Sequence, residues 1–180
     1  MNTFKTSLLV PLLLALTVTR QGAPAPAQKM PEVGKPAPAL RLNDHTGKIV
    51  TLGGKTANWS VLAFYPKAMT SGCTSEMCSM RDALADLNTI GADVYGISLD
   101  SVQDQAQFVE KQHLTFKLLS DPDGSVATKY GVLAPGAEYT NRVTFLIDDK
   151  GVLRKILDKV NVQQHGADVA ALIDELKGKQ

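Results

Sequence analysis

The sequence predicts an α/β fold in which helices flank a central mixed sheet. Two observations lead to this prediction. Short apolar segments with the properties of strands alternate with segments of helical period, and a hairpin and a final helix close the chain. The composition, 44% hydrophobic and 21% charged over 180 residues, is that of one ordinary globular domain rather than a disordered chain.

Seven short segments have the residue types of strands. Val61–Tyr65 is apolar throughout, as expected of a central strand that is buried on both faces, and Pro66 ends it. Val143–Ile147 and Val152–Val160 flank the turn Asp148–Gly151, so we expect these two strands to form a hairpin. In chain order, the predicted strands are 40–42, 49–52, 61–65, 93–98, 116–119, 143–147 and 152–160.

Four segments show the period of a helix. In the first of them, apolar residues recur at spacings of three and four and share one face: Cys73, Met77, Met80, Leu84 and Leu87. We expect this face to join the core, where the two methionines need only a packing role. The four predicted helices span 72–88, 102–112, 125–130 and 167–177.

Residues 1–27 are predicted to be a signal peptide with its cleavage region. Lys5 precedes the apolar run Leu8–Val18, and a stretch rich in alanine and proline follows. The run of eleven residues is too short to cross a bilayer, which takes about 20. We therefore expect export to the bacterial periplasm or the extracellular space.

Cleavage after Ala27 fits the pattern best, with Ala23 and Ala25 as alternatives, and leaves residues 28–180 as one domain. The leader contains two basic residues and no acidic one, so its removal changes the formal charge from +1 to −1. So small a charge creates no strong field, and neither nucleic acid nor a membrane is expected as a partner of the processed chain.

The two cysteines lie in the segment that follows the central strand. Pro66 ends that strand, a polar loop follows, and Cys73 falls near the first turn of the next helix, for which Ser71 or Gly72 would be the N-cap. The free N–H groups and the positive end of the helix dipole stabilise a thiolate at that place. Thr70 offers a hydroxyl that can donate a hydrogen bond to the sulfur.

The spacing of the cysteines argues against a permanent disulfide. Cys78 follows Cys73 by five residues, and Cα atoms five residues apart in a regular helix are about 8 to 9 Å from each other. A disulfide tolerates a Cα–Cα distance of up to about 7 Å. An inert structural bridge, which an exported protein would permit, therefore requires the helix start to unwind. The spacing favours a redox switch.

These residues carry a resemblance to a known family. Pro66, Thr70 and Cys73 have the spacing of the peroxiredoxin active-site signature, and Cys78 five positions later resembles the atypical two-cysteine subgroup called peroxiredoxin Q or bacterioferritin comigratory protein. Two further segments are similar to that family, 33–38 and 141–148, and the similarity extends over 30–177. One departure is Ser71, where the family usually has proline, which makes the loop slightly less rigid.

The resemblance implies a thioredoxin-like fold of the peroxiredoxin type and a thiol-dependent peroxidase that reduces hydrogen peroxide and organic hydroperoxides. In this interpretation Cys73 is the peroxidatic nucleophile and becomes a sulfenic acid, with which Cys78 forms an intrachain disulfide. A thioredoxin-like dithiol reopens that disulfide. Arg142 would hold the sulfur anionic, Thr70 would donate a hydrogen bond, and Pro66 would shield the sulfur.

No cofactor and no metal is implied, and we expect a monomer, because an intrachain pair removes the need for a disulfide-linked dimer. Two alternatives use the same cysteines. An exported thiol-disulfide oxidoreductase usually has Cys-x-x-Cys, which this sequence lacks. A copper-carrying thioredoxin-like protein would bind the metal with Cys73, Cys78 and His165, although His165 is expected just before an ordinary helix.

The remaining polar residues carry little weight at this point. Glu76 and Arg81 are interpreted as a coincidental pair on the helix surface, and His45 and His113 as solvated side chains in a turn and at a helix end. Nothing in the sequence places a histidine base beside Cys73, as a cysteine protease would need.

Overall fold

The computed structural model describes residues 29–179, so the predicted leader at 1–27 lies outside the described residues. Within 29–179, the strands are β1 (Leu40–Asp44), β2 (Ile49–Leu52), β3 (Trp59–Phe64), β4 (Ala92–Ser98), β5 (Lys117–Ser120), β6 (Val143–Ile147) and β7 (Leu153–Leu157). The helices are α1 (Ser71–Asp82), α2 (Leu84–Thr89), α3 (Val102–Gln112), α4 (Ser125–Lys129) and α5 (His165–Gly178). None of these helices is both long enough and apolar enough to cross a membrane.

The strands form a mixed sheet in the order β2-β1-β5-β4-β3-β6-β7. The central strands β3, β4 and β5 are parallel, and the helices between them supply the crossover connections that parallel strands need, whereas the outer pairs are antiparallel. The α/β prediction with a mixed sheet flanked by helices is therefore confirmed. The hairpin between β6 and β7 is also present, although β7 is shorter than the predicted strand at 152–160.

The central strand β3 is buried over its whole length, as its apolar run predicts. Its side chains alternate between two cores. Val61 and Ala63 pack with residues of α1, α2, α3 and α5 on one face of the sheet, whereas Leu62 and Phe64 pack with α4 and the β1–β2 hairpin on the other. Full burial of a leucine or phenylalanine side chain is worth about 1.5 to 3 kcal/mol, so this strand anchors both layers.

The single helix predicted at 72–88 is wrong in one respect, because it is divided at Ala83 into α1 and α2. The backbone at Ala83 has φ −89° and ψ 0°, but its N–H still reaches Ser79 O at 3.1 Å and its carbonyl accepts from Leu87 N at 3.0 Å. The helical period therefore continues across the break, which is why the sequence pattern shows one helix.

Strand pairing positions the segment between β3 and α1. Because β6 runs antiparallel to β3, with Val143 opposite Phe64, the residue just before β6 lies beside the end of β3. That residue is Arg142. The loop after β3 is held by a bond from Ala68 N to Asp100 Oδ2 at 2.8 Å, and it passes through Met69 in the left-handed region, at φ 64°. At this end of β3, Arg142 lies beside the start of α1, which carries Cys73.

Helix α5 packs closely against α1 because of a glycine. Gly166 N donates to Ser79 Oγ at 3.0 Å, and a Cβ atom at Gly166 would overlap the backbone oxygen of Ser79 and lie 2.7 Å from Ala83 Cβ. Only a residue without a side chain allows the two helices this separation.

We predict that Gly166→Ala lowers the free energy of unfolding by about 1 to 3 kcal/mol, because the new methyl group forces α5 away from α1. Chemical denaturation of the reduced protein measures this change. Gly178→Ala is the matched control in the same helix, since a Cβ there meets nothing within 4 Å, and it should change stability by less than about 0.5 kcal/mol. Equal effects of the two substitutions would contradict the packing argument.

Candidate active site

Helix α1 begins one residue earlier than predicted. Its N-cap is Thr70, with extended backbone angles, so the expectation that Ser71 or Gly72 is the cap is wrong. The first intrahelical bond runs from Thr74 N to Thr70 O at 2.8 Å, which makes Ser71 the first helical residue. The N–H groups ahead of Thr74 have no acceptor within the helix and are free to donate to an anion at this end.

Cys73 lies in this first turn and is 1% exposed. Arg142 Nη2 donates a hydrogen bond to its Sγ at 3.3 Å, so the structure brings together the cysteine and the cation that the sequence suggested. A charge-assisted bond of this kind favours the thiolate over the thiol. The sulfur therefore has the open end of a helix on one side and a guanidinium on the other.

The second terminal nitrogen of Arg142, Nη1, is paired with Glu76 Oε2. Burial by itself would lower the pKa of Arg142, but the charge of Glu76 and the bond to Cys73 outweigh it and raise that pKa above its ordinary value. The cation therefore stays charged throughout the pH range in which proteins are folded. Its two nitrogens face two different acceptors, which fixes the plane of the guanidinium.

The interpretation of Glu76 and Arg81 as a surface pair is wrong. Glu76 is fully buried, and its two carboxylate oxygens face Arg142 and His165, with His165 Nδ1 at 2.9 Å from Oε1. Arg81 donates instead to the backbone oxygen of Gln112 at 2.6 Å. The sequence did contain a signal for Glu76, since it follows Cys73 by three residues and so shares the apolar face of α1.

His165 was also placed incorrectly, because it is the first residue of α5 and is 2% exposed. Its contact with Glu76 uses the nitrogen Nδ1, which removes one of the two ring nitrogens from the copper-site alternative. Within residues 29–179, no group of three or more His, Cys, Asp or Glu side chains is arranged to hold a metal ion.

Neither Thr70 nor Pro66 makes a hydrogen bond to the Cys73 sulfur. The Thr70 hydroxyl donates to Lys67 O at 3.0 Å and is exposed, so its single proton is not directed at Cys73 in this structure. Pro66 is partly exposed and lies two residues after the end of β3, at the start of the loop. Thr70 would have to release Lys67 before its hydroxyl could bind a ligand at the sulfur.

Cys78 is half-buried, and both cysteines are free. They lie in one continuous helix, and Cys78 Sγ is 3.8 Å from Gln112 Oε1. The turn after Cys78 is fixed by the bond between Ser79 and α5 and by the bond from Arg81 to the end of α3, whereas Thr70 makes no side-chain cap bond at the start of α1. The C-terminal end of α1 is therefore held by polar contacts to both α3 and α5, whereas no side chain closes its N-terminal cap.

Comparison with known proteins is consistent across sequence and structure. The AhpC/TSA family model matches residues 33–156. Over 139 residues the chain is 40% identical to a putative peroxiredoxin bcp of Haemophilus influenzae, covering 74% of this chain and 90% of the relative. Over 144 residues it is 41% identical to a putative peroxiredoxin bcp of Coxiella burnetii, covering 77% and 95%.

A solved structure with the same fold is the peroxidoxin BcpB of Mycobacterium tuberculosis. It superposes with a TM-score of 0.73 at 31% identity, over 82% of this chain and 99% of that one. The sheet and helices described above are thus the thioredoxin-like fold of the peroxiredoxins. The chain belongs to the AhpC/TSA family and, within it, to the Bcp or peroxiredoxin Q group of peroxiredoxins.

Proposed function

We propose that Cys73 is the residue with which this thiol-dependent peroxidase reduces hydroperoxides, and that Cys78 resolves the product. Family membership supports the peroxidase activity itself. The observation that carries the residue assignment is the hydrogen bond from Arg142 Nη2 to Cys73 Sγ at the open N-terminus of α1. This is the environment in which a buried sulfur is held as a nucleophilic thiolate.

In the first step the Cys73 thiolate attacks one oxygen of the hydroperoxide. The S–O bond forms as the O–O bond breaks, the sulfur is oxidised to sulfenic acid, and the second oxygen leaves and takes up a proton as water or an alcohol. Arg142 and the free N–H groups of the first turn stabilise the negative charge while it moves from sulfur to the departing oxygen. Thr70, once released from Lys67, supplies a further donor, and Pro66 limits access of water.

In the second step the Cys78 thiol condenses with the sulfenic acid to give a disulfide and water. The helix between the two residues must open first, because the Cα–Cα distance in a regular helix is too long for a disulfide. An external dithiol then reduces the bond and is itself oxidised to a disulfide. The partners of the cycle are therefore a hydroperoxide and a thioredoxin-like reductant, and an intrachain bridge lets a monomer complete it.

The two cysteines should differ in a single turnover without reductant. We predict that the wild-type protein consumes one equivalent of hydrogen peroxide and loses two hydrogen atoms as the disulfide forms, whereas Cys78→Ser consumes one equivalent and gains one oxygen atom as sulfenic acid. Cys73→Ser should consume none. Peroxide depletion with intact-protein mass spectrometry separates these products.

A Cys73→Ser protein that still consumes peroxide would overturn the assignment of the nucleophile. A Cys78→Ser protein that turns over with a dithiol protein as fast as the wild type would overturn only the resolving role.

Arg142→Gln should lower the second-order rate constant for peroxide by about 10- to 100-fold, because a hydrogen bond to a charged group is worth about 1.5 to 3 kcal/mol. The loss should be partly recovered as the pH rises, since a sulfur without its cation needs a higher pH to ionise. Stopped-flow measurement of the rate across pH tests both effects.

Arg154→Gln is the matched control for that variant. Arg154 pairs with Asp148 Oδ2 at 2.6 Å, and Asp148 is fully buried, so this substitution also deprives a buried carboxylate of its cation. We expect Arg154→Gln to lower the free energy of unfolding but to leave unchanged the pH at which the rate constant for peroxide is half-maximal. A shift of equal size in both variants would show that the effect of Arg142 is one of stability.

We also propose that residues 1–27 direct export and are removed, which the apolar run Leu8–Val18 and the alanine-rich stretch after it support. In a bacterium that expresses the full chain, the processed protein should begin at Gln28 and be found outside the cytoplasm, as determined by fractionation and N-terminal mass spectrometry. Leu13→Arg should block processing, because a charged residue in the centre of an apolar segment costs about 2.5 to 3.5 kcal/mol on insertion. Cytoplasmic protein that keeps Met1 would contradict the proposal.

A further inference from the structure

His165 is a buried polar residue that the proposed reaction does not use. A carboxylate can only accept hydrogen bonds, so the contact between His165 Nδ1 and Glu76 Oε1 at 2.9 Å makes Nδ1 the nitrogen that carries the proton. The other ring nitrogen, Nε2, is buried and has no hydrogen-bond partner among the described residues. Protonating Nε2 would bury an N–H group without an acceptor, which costs free energy.

A buried nitrogen without a hydrogen-bond partner destabilises the fold, so a histidine is not the favourable residue where only packing is needed. A leucine of similar volume would pack at this position without leaving a polar atom unsatisfied. What the imidazole supplies at this site, and a leucine would not, is the N–H group that it donates to Glu76. We therefore look for the role of His165 in its effect on Glu76.

Three contacts in sequence connect His165 with the reactive sulfur. His165 at the start of α5 donates to one oxygen of Glu76, the other oxygen of Glu76 pairs with Arg142 Nη1, and Arg142 Nη2 donates to Cys73 Sγ. Each oxygen of the carboxylate thus has its own donor. Glu76 is fully buried, so no solvent replaces a donor that is lost.

We propose that His165 is a positioning residue of the peroxidase, which holds the Glu76 carboxylate in the orientation that presents Arg142 to Cys73. The Arg142 side chain is 22% exposed and so has access to solvent, and Glu76 determines the direction of the guanidinium. With both oxygens of Glu76 engaged, rotation of the carboxylate breaks two bonds instead of one. The proposal rests on the proposed function, in which the Cys73 thiolate is the nucleophile.

The test compares His165→Leu with His165→Asn. Leucine keeps the volume and removes the donor, whereas the side-chain amide of asparagine places an N–H group near the position of Nδ1. We expect His165→Leu to lower the second-order rate constant for hydrogen peroxide about tenfold, the effect of losing one hydrogen bond to a charged group, and to raise the pH at which the Cys73 thiolate forms. His165→Asn should stay within about threefold of the wild type in both measurements.

The thiolate is followed by its ultraviolet absorbance across pH in a Cys78→Ser background, so that only one sulfur contributes. Val169→Ala is the matched control, because Val169 is a fully buried residue of the same helix whose apolar side chain donates no hydrogen bond to the network. It should lower stability without moving the pH of thiolate formation. If His165→Leu does not fold, His165→Gln replaces it, since the longer side chain carries its amide toward the position of Nε2 and should fail to replace the donor.

The proposal is overturned if His165→Leu, or His165→Gln in its place, forms the thiolate at the same pH as the wild type and Val169→Ala. It is also overturned if asparagine performs no better than leucine or glutamine. These results are distinct from a failure of the proposed function, which would show itself as peroxide consumption by Cys73→Ser.

Discussion

A carboxylate without access to water is the constraint on which the rest of the site depends. The ionised side chain of Glu76 is fully buried, and such a group is tolerated only where hydrogen bonds and opposite charge replace its lost solvation. It meets this requirement with Arg142, the residue just before β6, and His165, the first residue of α5. The same carboxylate thereby joins three elements around the N-terminal turn that carries Cys73.

Local pattern predicted much of the fold. The helix at Val102–Gln112 and the strand at Val143–Ile147 have the predicted bounds, because a single strong period or an unbroken apolar run marks each of them. The division at Ala83 left no trace in the sequence, since the apolar face continues through it. The cap of α1 was missed because Thr70 acts through its backbone oxygen and not through its side chain.

The candidate site was predicted only where residue types are informative by themselves. Cys73 stands out because it is one of two cysteines, and Arg142 because it belongs to a recognisable strand segment. Glu76 and His165 did not, because a charged residue in a helix is usually solvated and their meeting depends on the packing of α5 against α1. That packing in turn depends on the close contact of Gly166 with Ser79. These residues are far apart in the chain, so the periodicity of the sequence does not reveal their contact.

The placement of Cys78 within α1 also has a consequence for how readily excess peroxide would inactivate the enzyme. Glu76 and Met77 lie between the two cysteines and are fully buried, so in the proposed cycle the opening of this segment disturbs the packing of a buried charge and of a large apolar side chain. Until the helix opens, the sulfenic acid on Cys73 remains a target for a second peroxide, which would convert it irreversibly to sulfinic acid. In this proposed cycle, the peroxide concentration that inactivates the enzyme therefore depends on how fast the helix opens relative to the attack of a second peroxide on the sulfenic acid.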